Sequence, residues 1–294
     1  MSHGKLYSLQ LPAGRTLALE AGAAKVMGVV NLTPDSFSDG GRFLDPEQAV
    51  EHALRLLEEG AALVDLGAES TRPGGGVYGS GARTVPPDEE LTRLVPVLRR
   101  LRALTDHPIS VDTRKAAVAR VALDLGADLI NDISALGDPE MGPLVAAARV
   151  PVILMHSRGE LPTMQREVTF RDVVAEVREE LLGLRDRALA FGICRNQIVL
   201  DPGLGFGKYT AHNAALLRHL DQLVALDHPI LIGASRKSFL GDLAGNVPVE
   251  ERLPASLAAA IVAQRNGASL VRAHDVQATV QALRVDLALT GRWA

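Results

Sequence analysis

In this 294-residue chain, eight short apolar runs end in, or lead directly into, residues whose types can do chemistry. Asn31 closes the first run, and the second leads into Glu69-Ser70-Thr71-Arg72-Pro73-Gly74. Asp112 closes the third, Asn131-Asp132 the fourth, Met155-His156 the fifth and Asp201 the sixth. The seventh leads into Ser235-Arg236-Lys237, and the eighth carries Arg272 and His274. Asp112, Asn131 and Asp201 offer carboxylate and amide edges, which suit a flat heterocycle bearing ring N–H and amine donors. Arg72, Arg272 and His274 offer cationic forks and a donor, which suit an oxyanion such as a diphosphate. Taken singly, Asp112 and Asp201 read equally well as caps or turn formers. Convergence on one rim would separate the two readings, and that depends on the fold.

The elements that would position these residues are legible as a pattern. Residues 6–20 alternate apolar and polar on both sides of Pro12-Ala13-Gly14, as a β-hairpin does. Strands are predicted over 26–31, 62–67, 108–112, 128–132, 151–155, 197–201, 229–234 and 269–273. Between them, segments such as 46–59, 88–103, 115–125, 170–191 and 276–289 repeat their apolar residues at three- and four-residue steps, as amphipathic helices do. Eightfold strand–helix alternation without a linker predicts an α/β fold, a (β/α)8 TIM barrel, with an open doubly wound sheet as the competing topology. It reads as one domain over residues 1–294, with residues 1–25 as an N-terminal hairpin that would plug the lower mouth. Barrels of this kind place their chemistry at the carboxyl ends of the strands, where the polar residues fall.

Composition sets limits. An apolar share of 47% with 22% charged residues indicates a globular protein with a substantial core. A net charge of −4 provides no basic field for nucleic acid, and no Lys/Arg run suits a membrane surface, so an anionic ligand must be held by local groups. The single cysteine, Cys194, rules out an internal disulfide and points to a reducing, cytoplasmic setting. In DPGLGFGK, Pro202 and Tyr209 stand where a Walker A loop needs glycine and a hydroxyl, and the glycines follow the sixth strand, which argues against a dinucleotide fingerprint.

The ordered segments NLTPDSFSDGG (31–41), DLGAESTRPG (65–74), SVDT (110–113), INDIS (130–134), DPGLGFGK (201–208), GASRKSFLG (233–241) and VRAHDV (271–276) resemble the motif set of the dihydropteroate synthases, the pterin-binding TIM-barrel family. The likeness runs through the chain from about Met27. It implies a transferase that joins 4-aminobenzoate to 6-hydroxymethyl-7,8-dihydropterin diphosphate, giving 7,8-dihydropteroate and pyrophosphate in folate biosynthesis. By motif, Asp112, Asn131, Asp201 and Lys237 would bind the pterin, with Met155 beside the ring. Asn31, Arg72, Arg272 and His274 would bind the diphosphate, and Phe37, Thr71, Pro73, Phe206 and Ser238 the aminobenzoate. Asp112, Asp201, Lys237, Arg72, Arg272 and His274 would carry the catalysis. The implied cofactor is Mg2+, with Asn31 as its one protein ligand, an arrangement that suits a cation retaining water and taking substrate phosphate oxygens. A pterin-binding methyltransferase would have no use for Arg272 and His274, and a noncatalytic paralogue should have lost one or more of Asn31, Arg72, Lys237 and His274.

Two further expectations follow. The segment 254–268 is apolar around much of its circumference, so with part of 276–289 it is expected to form a homodimer interface, the partners otherwise being the small-molecule substrates. Loops 33–41 and 71–84 are dense in glycine, proline and small polar residues. They are expected to close over diphosphate and Mg2+ before aminobenzoate binds tightly, so titrating aminobenzoate with and without Mg2+ and pyrophosphate should give unequal affinities.

Overall fold

The computed structural model describes residues 4–33, 45–70, 85–159, 164 and 168–292. Phe37, Thr71, Arg72 and Pro73, with most of the two loops that carry them, lie outside the described residues.

Leu6–Gln10 (β1) and Thr16–Glu20 (β2) pair antiparallel about a 3-10 turn at Pro12–Gly14, in a register that sets Leu9 against Leu17. The eight barrel strands follow in chain order: Lys25–Asn31 (β3), Leu63–Gly67 (β4), Ile109–Asp112 (β5), Leu129–Asp132 (β6), Val152–Met155 (β7), Ile198–Asp201 (β8), Leu231–Ile232 (β9) and Leu270–Ala273 (β10). They form one parallel sheet in the order β8-β7-β6-β5-β4-β3-β10-β9, and a parallel bridge from Leu200 to Ile230 brings its two edges together. That closure decides for the barrel over the open sheet. Strand β9 is shorter than the predicted 229–234: Pro229 has no N–H for the ladder, and the pairing with β10 ends at Ile232.

Helices fill the intervals between strands: Pro46–Glu58 (α1), Pro87–Arg102 (α2), Ala116–Asp124 (α3), Met141–Ala148 (α4), Val173–Ala190 (α5), Thr210–Arg218 (α6), Asp221–Val224 (α7), Ser238–Leu243 (α8), Leu253–Arg265 (α9) and Val276–Leu289 (α10). Side-chain caps set the starts of α1 and α5. The Asp45 carboxylate accepts the Glu47 N–H before α1, and Asp172 accepts those of Val174 and Ala175, so α5 begins three residues later than the predicted 170. No helix of the described residues is long and apolar enough to cross a membrane.

Two apolar clusters divide the strands by face. Outward residues such as Val64, Leu66, Val111, Ile130, Leu154 and Leu200 pack against the helices. Inward residues Met27, Leu63, Leu129, Ile153, Val199, Leu231 and Leu270 form a second cluster with Leu9, Leu11, Leu17 and Leu19 of the hairpin. The hairpin therefore closes the amino-terminal mouth, as the alternation in residues 6–20 predicts, and the barrel acquires a dry floor.

Candidate active site

Above that floor the inner face changes chemistry within two residues. Side chains two apart on a strand share a face, so Leu63 is followed inward by Asp65, Leu129 by Asn131, Ile153 by Met155, Val199 by Asp201, and Leu270 by Arg272. Ladder pairing sets Asn31 against Gly67, Gly67 against Asp112, Asp112 against Asn131, and Met155 against Asp201. The polar residues read from the ends of the apolar runs thus stand around one mouth, at the carboxyl ends of the strands. Caps have no reason to do that.

Asp65 ties the site together. It is fully buried, and its Oδ2 accepts Asn131 Nδ2 at 3.0 Å and Arg272 Nε at 2.7 Å. The second arm of Arg272 donates to Asp112 Oδ2 at 3.1 Å. Among the described residues, the other carboxylate oxygens, Asp65 Oδ1 and Asp112 Oδ1, are buried without a hydrogen-bond partner. Buried acceptors of this kind call for donors from a ligand. Burial pushes the Asp112 carboxyl up to about 7, the neighbouring Asp65 charge adding to the rise and Arg272 opposing it. An N–H donor reaching Asp112 would favour its ionised form.

Asp201 Oδ1 accepts the Gly203 N–H at 2.7 Å, and burial raises its pKa against the opposing charge of Lys237. Lys237 caps the amino end of α8, donates to the Leu204 carbonyl and stands 4.7 Å from the centre of the Phe206 ring. Burial pushes its ammonium down to about 8, with Asp201 resisting and Arg272 adding to the fall. Its chain neighbour Ser238 opens α8. His274 is oriented by Ser235, whose Oγ accepts the His274 backbone N–H at 3.2 Å and lies 3.0 Å from Nδ1. A hydroxyl donating to Nδ1 leaves the proton on Nε2 as the donor.

The structure brings Asn31, Asp112, Asn131, Met155, Asp201, Phe206, Lys237, Ser238, Arg272 and His274 to this mouth. Three further contributors, Asp65, Ser235 and Lys208, carry no assigned role in the sequence. Asp65 lay inside a quoted motif, and its signal was a carboxylate in the middle of an apolar strand. Ser235 and Lys208 act through other residues, which no spacing reveals. His156, at the end of β7, is buried and bonded to Lys208 and Glu180, so it supports the loop after β8 and does not line the mouth.

Residues 27–274 match the family model described as pterin binding enzyme. The chain is 48% identical to the dihydropteroate synthase of Mycobacterium leprae over 278 residues, 92% of this chain and 93% of that protein. It belongs to the pterin-binding enzymes, among the dihydropteroate synthases. The Escherichia coli K12 dihydropteroate synthase is 43% identical over 270 residues, 91% of this chain and 92% of that one. The Xanthomonas albilineans enzyme solved with 4-aminobenzoic acid aligns with TM-score 0.88 and 48% identity, covering 97% of this chain and 99% of that one. The same enzyme in complex with 7,8-dihydropteroate aligns with TM-score 0.83 and 45% identity, covering 96% and 98%. For a pterin-binding enzyme, a mouth ringed by carboxylates, an amide and cations is the feature to be explained.

Proposed function

We propose that this chain condenses 6-hydroxymethyl-7,8-dihydropterin diphosphate with 4-aminobenzoate, giving 7,8-dihydropteroate and pyrophosphate. The observation that carries this reading is the pairing of buried, donor-seeking carboxylates at Asp65 and Asp112 with Arg272, Lys237 and His274 at one mouth. Carboxylates and the Asn131 amide suit the ring donors of a pterin, whereas the cations suit the diphosphate. Purified protein with Mg2+ and both substrates should form dihydropteroate and pyrophosphate in equal amounts. No product when either substrate is present in excess would sink the proposal.

In this reading the exocyclic methylene loses its C–O bond, the electron pair leaves with the diphosphate, and the arylamine nitrogen forms the new C–N bond and sheds a proton. Asp112 and Asp201, held by Arg272 and the Gly203 N–H, orient the ring and favour positive charge on it. Arg272 and His274 stabilise the leaving group from this chain's side, Met155 packs beside the ring, and Phe206 with Ser238 receives the arylamine. Arg72, Phe37, Thr71 and Pro73 complete these sets in the family pattern. An amide oxygen joined by substrate phosphate oxygens fits a hard cation, so Asn31, half-buried at the end of β3, would hold Mg2+. The bound ion would supply charge neutralisation on the diphosphate.

The same reading includes a homodimer. Val262 on α9 and Val285 and Leu289 on α10 are exposed, at 41%, 55% and 81%, and offer an apolar face to a second copy. We expect a dimer mass in sedimentation at micromolar concentration, and a monomer there would remove the interface.

A further inference from the structure

Lys208 is a buried cation that the reaction above does not use, only 2% exposed. Its surroundings are two backbone segments in unusually close approach. A Cβ at Gly203 would sit 1.9 Å from the His156 carbonyl oxygen, and one at Gly207 would sit 2.4 Å from that of Arg158. Both glycines have φ of 63°, a conformation that side chains resist. The turn from Pro202 to Lys208 is therefore laid directly on the segment that follows β7. Backbone of this freedom needs bonds to keep one shape, and Lys208 supplies them. Its Nζ donates to the Gly203 carbonyl at 3.0 Å, to the Phe206 carbonyl at 3.0 Å and to His156 Nδ1 at 2.9 Å. With a longer contact to the His156 carbonyl at 3.4 Å, these acceptors take up all three protons of an ammonium. Because Nδ1 accepts, the His156 proton is on Nε2, which donates to Glu180 Oε2 at 2.8 Å. Burial pushes the His156 pKa down, which keeps the ring neutral for this role.

The turn so closed carries two groups that face the site. Phe206 projects beside Lys237, and the Leu204 carbonyl accepts the Lys237 ammonium. We propose that Lys208 is a positioning residue for the arylamine half of the site: its ammonium folds the 202–208 turn around itself, and so fixes Phe206 and the Leu204 carbonyl where the second substrate and Lys237 need them. Lys208 touches neither substrate. The inference rests on the reaction proposed above. Burial pushes the Lys208 ammonium down to about 7, with Asp201 and Glu180 opposing and Lys237 and Arg158 adding to the fall, so the role belongs to the protonated form below that pH and rests on the bonds described above.

The test is Lys208→Met, which keeps the chain's volume and removes the donors. With pterin diphosphate saturating, the KM for aminobenzoate should rise by about tenfold or more, as expected for losing charge-assisted bonds inside a loop. The KM for pterin diphosphate should rise clearly less, because Asp112, Asn131 and Arg272 are held by bonds that do not involve Lys208, and only Asp201 and Lys237 touch the turn, through the Gly203 N–H and the Leu204 carbonyl. Hydrogen exchange should be faster by about tenfold at the amides of 203–207 and unchanged in β3 to β6. Equal rises in both KM values, or unchanged exchange in the turn, would overturn the role. If Lys208→Met does not fold, His156→Asn decides: it keeps an acceptor near Nδ1 but severs Glu180, so a smaller rise confined to aminobenzoate supports the role, and none refutes it. Exchange reads the turn even when no turnover is seen, so inactive wild-type protein would count against the reaction and leave the positioning role to be judged on the turn itself.

Discussion

Arg272→Met is expected to lower kcat/KM by at least about 1,000-fold, the scale on which losing a charged group that stabilises developing negative charge is felt. It should also destabilise the fold, and the pH dependence of that loss carries the information. Arg272 is the cation bonded to both Asp65 and Asp112, and removing one partner of a buried ion pair costs about 3–5 kcal/mol. Asp112 already has its carboxyl pushed up to about 7 by burial and by Asp65, with Arg272 opposing. Without Arg272 that pKa rises further. A carboxyl whose folded pKa lies above its unfolded value takes up its proton more readily when folded, so the folded state gains relative stability as pH falls and loses it as pH rises. The deficit of the variant should therefore be largest above about pH 7 and shrink towards about pH 5, where Asp112 is protonated in the folded state. Thermal midpoints of both proteins across that range read the difference. A deficit independent of pH would mean that Arg272 stabilises by packing alone.

How much of this was legible beforehand differs with the kind of signal. The eight strands could be placed within one or two residues because parallel barrel strands are short apolar runs bounded by polar turns, and Val152–Met155 or Leu129–Asp132 has no other reading at that spacing. The α10 helix and the plugging hairpin are visible through their periodicity, and α9 through a run of small apolar residues too long for a barrel strand. The short α7 has no sequence signature of its own, because four residues hold too little periodicity. The rim residues could be named because each follows an apolar run, but their wiring could not. Asp65 lies in a strand whose neighbours Leu63, Val64 and Leu66 are all apolar, so its carboxylate looked like an interruption. Only the ladder register, placing Val29 against Asp65 and Asp65 against Ser110, turns it inward to meet Asn131 and Arg272. Lys208 is similar: Pro202 and Tyr209 exclude a phosphate loop and leave it without a role in the sequence, and only the folded turn shows its bonds directed at backbone and His156.

Asp201→Asn is expected to separate function from stability in the direction opposite to Arg272→Met. Asp201 lies at the end of β8, 7% exposed, with Oδ1 accepting the Gly203 N–H. In the variant the amide oxygen keeps that bond, and the amide nitrogen then stands where the second carboxylate oxygen was. An acceptor facing the mouth becomes a donor, so a ring donor there meets another donor and the positive field of Lys237 goes unanswered. Mismatches of this type cost more than a lost contact because a polar group is left unpaired, and kcat/KM should fall by about 100- to 1,000-fold, mainly through pterin binding. Stability should move the other way. Burial raises the Asp201 pKa above its ordinary value, against Lys237 and the Gly203 N–H, so ionising it costs the folded state free energy at every pH above its unfolded pKa. The neutral amide escapes that cost. At about pH 8 the variant should unfold at the same temperature as the parent or higher, while its calorimetric signal with the pterin substrate largely disappears. A fall in the unfolding temperature comparable to that of Arg272→Met would show instead that the Asp201 charge, through Lys237, holds the barrel mouth together.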